Sequence, residues 1–143
     1  MVERMTGGQA VVRSLAEHGV DVAFGIPGVH TLALYDALID SPIRHILGRH
    51  EQGVGFMADG YARASGKPGV ALVITGPGVT NVATSRPRPV YVEIPRDVLE
   101  TEAEITFPDP AICSAAGPGR PATTGSGKVI SASVSSTSRG IST

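Results

Sequence analysis

The segment Val70-Ala71-Leu72-Val73-Ile74, followed by Thr75-Gly76-Pro77-Gly78, decides the fold class of this chain. Five consecutive apolar residues are typical of a strand that is buried on both faces, as in a parallel sheet. The glycine and proline residues after it predict a tight turn at the carboxyl end of the strand. Ligands of open α/β sheets bind at this end of the strands. The two segments therefore predict a buried parallel strand that leads into a candidate binding loop.

The same order of strand and turn recurs elsewhere in the chain. Asp21–Phe24 predict a short buried strand that ends at the turn Gly25–Gly28. Ile43–Leu47 predict the next strand, and Gly48–Glu51 predict a tight turn from that strand into a helix. A last strand is predicted over Val90–Ile94.

Helical patterns separate these strands. The first predicted helix runs from an N-cap at Thr6 to about His18, and a second begins at Thr31. A third follows Glu51, with an apolar stripe on one face, and Gly66 ends it. The stripe consists of Val54, Met57, Ala58 and Tyr61. Alternating strands and helices predict an α/β fold with an open, doubly wound, mainly parallel sheet and helices on both of its faces.

Composition excludes several classes of protein. The chain has 143 residues and a formal net charge of −1, so it lacks the basic character of a nucleic-acid-binding protein. Its longest apolar run, Val70–Ile74, is far too short to span a membrane. The N-terminal residues lack the apolar stretch of a signal peptide, and the single cysteine, Cys113, fits a cytoplasmic location.

The composition changes sharply at Phe107. Of the 37 residues from Phe107 to Thr143, 21 are Ser, Thr, Gly or Pro. A segment of this kind buries too little apolar surface to offset the entropy lost on ordering. We therefore predict one folded domain over residues 1–106 and a disordered, low-complexity tail over residues 107–143.

Several short segments resemble known functional motifs but lack a required residue. His50-Glu51-Gln52-Gly53-Val54 begins like the zinc-protease motif, but Val54 replaces the second histidine, so no metal site is predicted. Gly125–Lys128 resembles the end of a phosphate-binding loop, but Val129 stands where Ser or Thr is required. Glu51 at the start of a helix is by itself a common structural feature, since the helix dipole favours a carboxylate there.

Four motifs together resemble one family. Phe24–Thr31 (FGIPGVHT), Arg49–Gly53 (RHEQG), Met57–Arg63 (MADGYAR) and Ile74–Asn81 (ITGPGVTN) follow each other in that family's order and spacing. They resemble the N-terminal, pyrimidine-binding domain of thiamine-diphosphate enzymes of the acetolactate synthase and 2-oxo acid decarboxylase type. The resemblance runs without a gap from about Thr6 to Asn81.

The resemblance implies a cofactor and a set of site residues. Glu51 corresponds to the family's activating glutamate, which promotes ylide formation on thiamine diphosphate by exchanging a proton with N1′ of the aminopyrimidine. The substrate of the family is a 2-oxo acid. Two loops would contact the pyrimidine ring from opposite sides, and their residues are Pro27, Gly28, Thr75, Gly78 and Asn81. For the two glycines, turn geometry alone is an equally good explanation.

The chain also departs from the family pattern. Asn81 is followed almost directly by Arg86–Leu99, which resembles the last strand and exit of the same domain, so a central block of the domain is missing. We expect an incomplete sheet with an exposed edge. The Gly-Asp-Gly metal motif of the family's diphosphate-binding domain does not occur, so no magnesium site is expected here. The family forms homo-oligomers. Two readings stay open: a thiamine-diphosphate enzyme portion that is inactive alone, or a non-catalytic remnant that associates with full-length relatives.

Overall fold

The computed structural model describes residues 2–74, 76, 78, 90–107 and 129–135. In these ranges the chain forms seven strands, four α-helices and one short 3-10 helix. In chain order they are β1 (Glu3–Thr6), α1 (Gly7–Glu17), β2 (Val22–Gly25), the 3-10 helix (Val29–Thr31), α2 (Leu32–Ile39), β3 (Arg44–Leu47), α3 (Glu51–Ser65), β4 (Gly69–Ile74), β5 (Val90–Pro95), α4 (Arg96–Glu100), β6 (Glu102–Ile105) and β7 (Val129–Ser135).

Five of the strands form one parallel sheet in the order β3-β2-β4-β7-β5. The chain passes from β2 out to β3 through α2, and from β3 back across β2 to β4 through α3. The predicted α/β fold with a parallel sheet is confirmed. β1 and β6 pair separately as a two-stranded antiparallel sheet, which the sequence analysis did not predict.

Helices cover both faces of the sheet. Val70 and Leu72 of β4 pack with residues of α1, α2 and α4 on one face. Ala71 and Val73, the alternate residues of the same strand, pack with residues of α3 on the other face. All four side chains are almost fully buried. The continuous apolar run is therefore explained by burial on both faces.

The predicted helix ends are confirmed where the sequence carried a specific signal. Thr6 caps α1: its hydroxyl accepts a hydrogen bond from the Gln9 N–H at 3.2 Å, and the Gln9 side chain returns one to the Thr6 N–H at 3.0 Å. Gly66 ends α3 in the left-handed conformation, with φ of 72°. Both arrangements satisfy backbone groups that a helix end leaves without partners.

The amino end of β2 is tied to the end of α3 by polar side chains. The Asp21 carboxylate accepts hydrogen bonds from the Tyr61 hydroxyl and the Lys67 ammonium. The Lys67 hydrogen bond, followed by that of Tyr61, lowers the pKa of Asp21 below its usual value. This cluster lies at the opposite end of the sheet from the loops that follow β2, β3 and β4, so we assign it a structural role.

The segment beyond Phe107, which is predicted to be a disordered tail, contains one described stretch, Val129–Ser135. These seven residues form β7, which pairs with β4 on one side and with β5 on the other. Their sequence alternates Ile130, Ala132 and Val134 with serines, which is a strand pattern that the average composition of the tail concealed. β7 thus covers one edge of β4, and the five-stranded sheet ends at β3 and β5. Residues 108–128 and 136–143 lie outside the described residues, and the proposed domain boundary near residue 106 stays a prediction.

Membrane-spanning helices and metal-ligand clusters are both absent from the described ranges. None of the helices there is long and apolar enough to cross a membrane. In the same ranges, no group of three or more His, Cys, Asp or Glu side chains is arranged to hold a metal ion.

Candidate functional site

The loops that follow β2, β3 and β4 meet at one edge of the sheet, because these three strands are parallel neighbours. Backbone hydrogen bonds hold the loops together. The Gly48 N–H donates to the Gly25 carbonyl at 3.0 Å, and the Ile26 N–H donates to the Leu72 carbonyl at 3.3 Å. The strand that follows β2 is added on one side of it (β3) and the next on the other side (β4). Such a switch point is where open α/β sheets bind ligands.

Glu51 is the first residue of α3 and stands at the centre of this edge. His50 caps the helix, since its Nδ1 accepts a hydrogen bond from the Gln52 N–H at 3.2 Å. Val54 and Ala58, three and seven residues further on, are fully buried on the helix stripe that packs against the sheet. Glu51 therefore begins a firmly anchored helix, and its own side chain is half-buried.

Gly78, a helical residue that follows β4, lies directly against the Glu51 side chain. A β-carbon built on Gly78 would stand 2.9 Å from Glu51 Cγ and 3.2 Å from Cδ and Oε1. Gly78 is itself buried. Two residues that the sequence assigned to one site, 27 positions apart in the chain, are thus in contact in the structure.

The first loop is held in shape by Thr31. Its hydroxyl donates to the Gly28 carbonyl at 3.0 Å and accepts from the Gly28 N–H at 3.1 Å. Thr31 is 1% exposed, so these bonds are shielded from water. A β-carbon on Gly28 would overlap the Ile74 side chain at the end of β4. From the sequence, Thr31 was predicted only to begin a helix. The Gly-x-x-Thr spacing is the signal that could have identified this pair of hydrogen bonds, which we call the Thr31 clamp.

The remaining predicted site residues divide into two groups. Pro27 belongs to the first loop, beside Gly28, and is exposed. Thr75 and Asn81 lie outside the described residues, so their assignment to the site stays a prediction.

A half-buried aromatic pair packs next to the first loop. The rings of Tyr35 in α2 and His45 in β3 meet edge to face, with centroids 5.0 Å apart. The Tyr35 hydroxyl lies so close to Gly25 that a β-carbon there would overlap it. Burial lowers the pKa of His45 and raises that of Tyr35, so both rings are neutral at pH 7. We assign the pair a packing role beneath the loop.

Comparison with known protein families gives a match over residues 5–85 to the family described as thiamine pyrophosphate enzyme, N-terminal TPP binding domain. The matched range contains all three loops of the site. It also contains every residue that the sequence analysis assigned to the cofactor, including those outside the described ranges.

Individual relatives agree with the family match. A probable 2-ketoarginine decarboxylase, AruI, of Pseudomonas aeruginosa is 74% identical over 81 residues, which are 57% of this chain and 14% of that protein. An acetolactate synthase of Mycobacterium avium is 56% identical over 84 residues, 58% of this chain and 14% of the relative. The large subunit of acetolactate synthase isozyme 1 of Escherichia coli is 50% identical over 84 residues, 58% of this chain and 15% of the relative.

The similarity thus covers a small part of each relative, about one seventh of its length. Within that part it includes the strand ends, the loops and the helix that bring Glu51 and Gly78 together. The chain belongs to the thiamine pyrophosphate enzyme family, and the part that matches is the N-terminal TPP-binding domain.

Proposed function

We propose that this chain supplies the pyrimidine-binding side of a thiamine-diphosphate site, with Glu51 as its acid–base group. One observation carries the proposal: the Glu51 carboxyl group lies at the carboxyl edge of the parallel sheet, against Gly78 of the neighbouring turn. A carboxyl group held between a helix start and a backbone turn can exchange a proton with a heteroaromatic nitrogen placed beside it.

The residues at this edge fit a flat aromatic ring. Gly28 and Gly78 have no side chains of their own, so Ile74 can lie against the first and Glu51 against the second. Ile74 contributes an apolar side chain against Gly28. In the proposed site, Pro27, Gly28, Thr75, Gly78 and Asn81 hold the pyrimidine ring of the cofactor.

The chemistry divides between cofactor and protein. Thiamine diphosphate, when bound, supplies a carbon nucleophile that adds to the carbonyl of a 2-oxo acid and holds the electrons released on decarboxylation. Glu51 holds the proton that is shared with N1′ of the aminopyrimidine. Helix α3 fixes the backbone of Glu51, so its carboxyl group would be available to one ring atom of the bound cofactor.

The diphosphate and its magnesium ion require other residues in this proposal. The sequence contains no Gly-Asp-Gly motif, and the described residues contain no cluster of metal ligands. We propose that another protein surface provides that half. Val29, Leu32 and Leu47 expose more than half of their side chains near the loops after β2 and β3. We propose that these apolar residues face another subunit, in a homo-oligomer or in an assembly with a full-length relative.

The identities to the similar proteins support a proposal for the substrate class. The 74% identity to a probable 2-ketoarginine decarboxylase exceeds the 50–56% identity to the acetolactate synthases described above. We therefore propose a parent activity on a larger 2-oxo acid. Val29 stands where pyruvate decarboxylases of the family have an aspartate, which favours either an acetolactate-synthase-like protein or a decarboxylase of a larger 2-oxo acid. The proposed compartment is the cytoplasm, since the chain has a single cysteine.

A second candidate is a remnant that binds full-length relatives without contributing to catalysis. The apolar residues near the loops support it as well, because they would serve docking whether or not Glu51 acts. The two candidates differ in one respect: only the first requires that the Glu51 carboxyl group contact the cofactor.

Binding to the isolated chain distinguishes these candidates. We expect millimolar thiamine and thiamine diphosphate to shift the amide NMR signals of Gly25, Ile26, Gly28 and residues 51–54 equally, because this chain contacts the pyrimidine and not the diphosphate. Glu51→Gln should weaken both shifts, and Asp59→Asn, on the same helix, should not. We expect no release of carbon dioxide from 2-oxo acids by the chain alone. Shifts that do not depend on Glu51, or an absence of shifts, would contradict the proposed function.

A further inference from the structure

Two described glycines follow β4, Gly76 and Gly78, and glycine is required at each position for a different reason. Gly76 has φ of +86°, in the left-handed region that residues with a β-carbon rarely adopt. Gly78 is not among the positive-φ glycines of the described residues, so its backbone conformation accepts other residues. The reason for glycine at position 78 must lie in what surrounds it.

Among the described residues, the Glu51 side chain is what a β-carbon at Gly78 would meet first. The three atoms nearest to a β-carbon at this position all belong to Glu51, at 2.9 Å for Cγ and 3.2 Å for Cδ and Oε1. Contacts under 3.0 Å between carbon atoms do not persist in folded proteins, so either the turn or the glutamate would have to move. Helix α3 holds the Glu51 backbone through Val54 and Ala58, which are fully buried. The glutamate side chain is therefore the part that gives way.

We infer that Gly78 is a positioning residue for Glu51. By having no side chain, it leaves the space in which the Glu51 carboxyl group lies, and its backbone limits the rotamers open to that group. The functional meaning of this inference rests on the proposed role of Glu51, whereas the contact itself does not depend on any cofactor. The inference gives Gly78 a task toward the glutamate in addition to the proposed contact with the ring.

A double-mutant cycle on the full chain tests the contact without cofactor. The variants are Gly78→Ala, Glu51→Ala and the double variant, with thermal unfolding as the measurement. We expect Gly78→Ala alone to lower the Tm by about 5 °C, as overpacking of one methyl group does in a domain of this size. In the Glu51→Ala background the same change should cost almost nothing, because Cγ, Cδ and Oε1 are gone. The matched control is Gly60→Ala, where a β-carbon would meet no atom within 4 Å.

A spectroscopic measurement separates positioning from a general loss of packing. The ¹³C signal of Glu51 Cδ is the glutamate carboxyl signal that disappears in Glu51→Gln. We expect it to move in Gly78→Ala at fixed pH and to stay in place in Gly60→Ala. If Gly78→Ala fails to fold and the double variant folds, the inference is supported. Equal destabilisation in both backgrounds, failure of both to fold, or an unmoved Cδ signal would overturn it. None of these outcomes depends on whether the chain binds thiamine.

Discussion

The five-stranded sheet has two sides along its strand order: β3, β2 and β4 on one, and β7 and β5 on the other. The two sides are built from sequences of different kinds. On one side, β2 and β4 are short apolar runs whose residues are buried almost without exception. On the other side, β5 exposes Val92 and Glu93, and β7 comes from a segment rich in serine. The first side follows the order of strand, helix and strand along the chain. The second side depends on pairing between residues 129–135 and strands that are far away in sequence.

The difference teaches which information each kind of strand carries. A strand buried on both faces is marked by its own composition, since every position is apolar. A strand such as β7 is marked only by alternation, and its partners supply the rest of the information. Its pairing also covers the edge of β4, and an open edge is a common cause of aggregation.

Removal of β7 is the largest test of this comparison. Truncation after Lys128 removes the six residue pairs that β7 makes with β4 and the six that it makes with β5. We expect the truncated chain to aggregate or to lose cooperative unfolding, as judged by sedimentation velocity and urea denaturation. Truncation after Ser135 keeps β7 and is the matched control.

The opposite result would change the account of the second side. If truncation after Lys128 leaves solubility and the unfolding midpoint unchanged, β7 does not contribute to the fold in solution. The whole segment from residue 107 would then behave as the disordered tail that its composition predicts.

A smaller effect tests whether α4, the helix that follows β5, packs in the same core as β4. Leu99 of α4 is fully buried and packs in the cluster that contains Leu72. We expect Leu99→Ala and Leu72→Ala each to lower the free energy of unfolding by about 2–5 kcal/mol, as for other buried leucines. Val98→Ala, at a position that is 49% exposed, should change it by less than about 0.5 kcal/mol. A Leu99→Ala effect as small as that of Val98→Ala would show that the second side is not packed on the first.

Much of the fold on the first side could be predicted from sequence. The strands β2, β3 and β4 and the helices between them followed from apolar runs, the cap at Thr6 and the stop at Gly66. The pairing of β1 with β6 could not be predicted, because Glu3–Thr6 and Glu102–Ile105 are polar and nearly 100 residues apart. Met5 in β1 and Ala103 and Ile105 in β6 are too few apolar positions to mark either strand.

For the candidate site, the sequence predicted which residues belong to it but not the contacts between them. Motif resemblance located Glu51, Gly28 and Gly78, and the structure brings Glu51 and Gly78 into contact. The clamp at Thr31 was missed because its two hydrogen bonds depend on the conformation of the loop. The reason for glycine at position 78 was also hidden, since sequence alone gives glycine the same meaning in every turn.

The most direct test of the central claim is proton exchange at C2 of thiamine diphosphate. This chain would be mixed with a full-length acetolactate synthase whose own activating glutamate has been replaced, and hydrogen–deuterium exchange at C2 would be followed by NMR. We predict that this chain restores exchange and that Glu51→Gln lowers the restored rate by about 10²–10⁴-fold, the usual contribution of one acid–base group. Restored exchange at the same rate with Glu51→Gln would contradict the role of Glu51, and failure of both chains to restore it would favour the non-catalytic remnant.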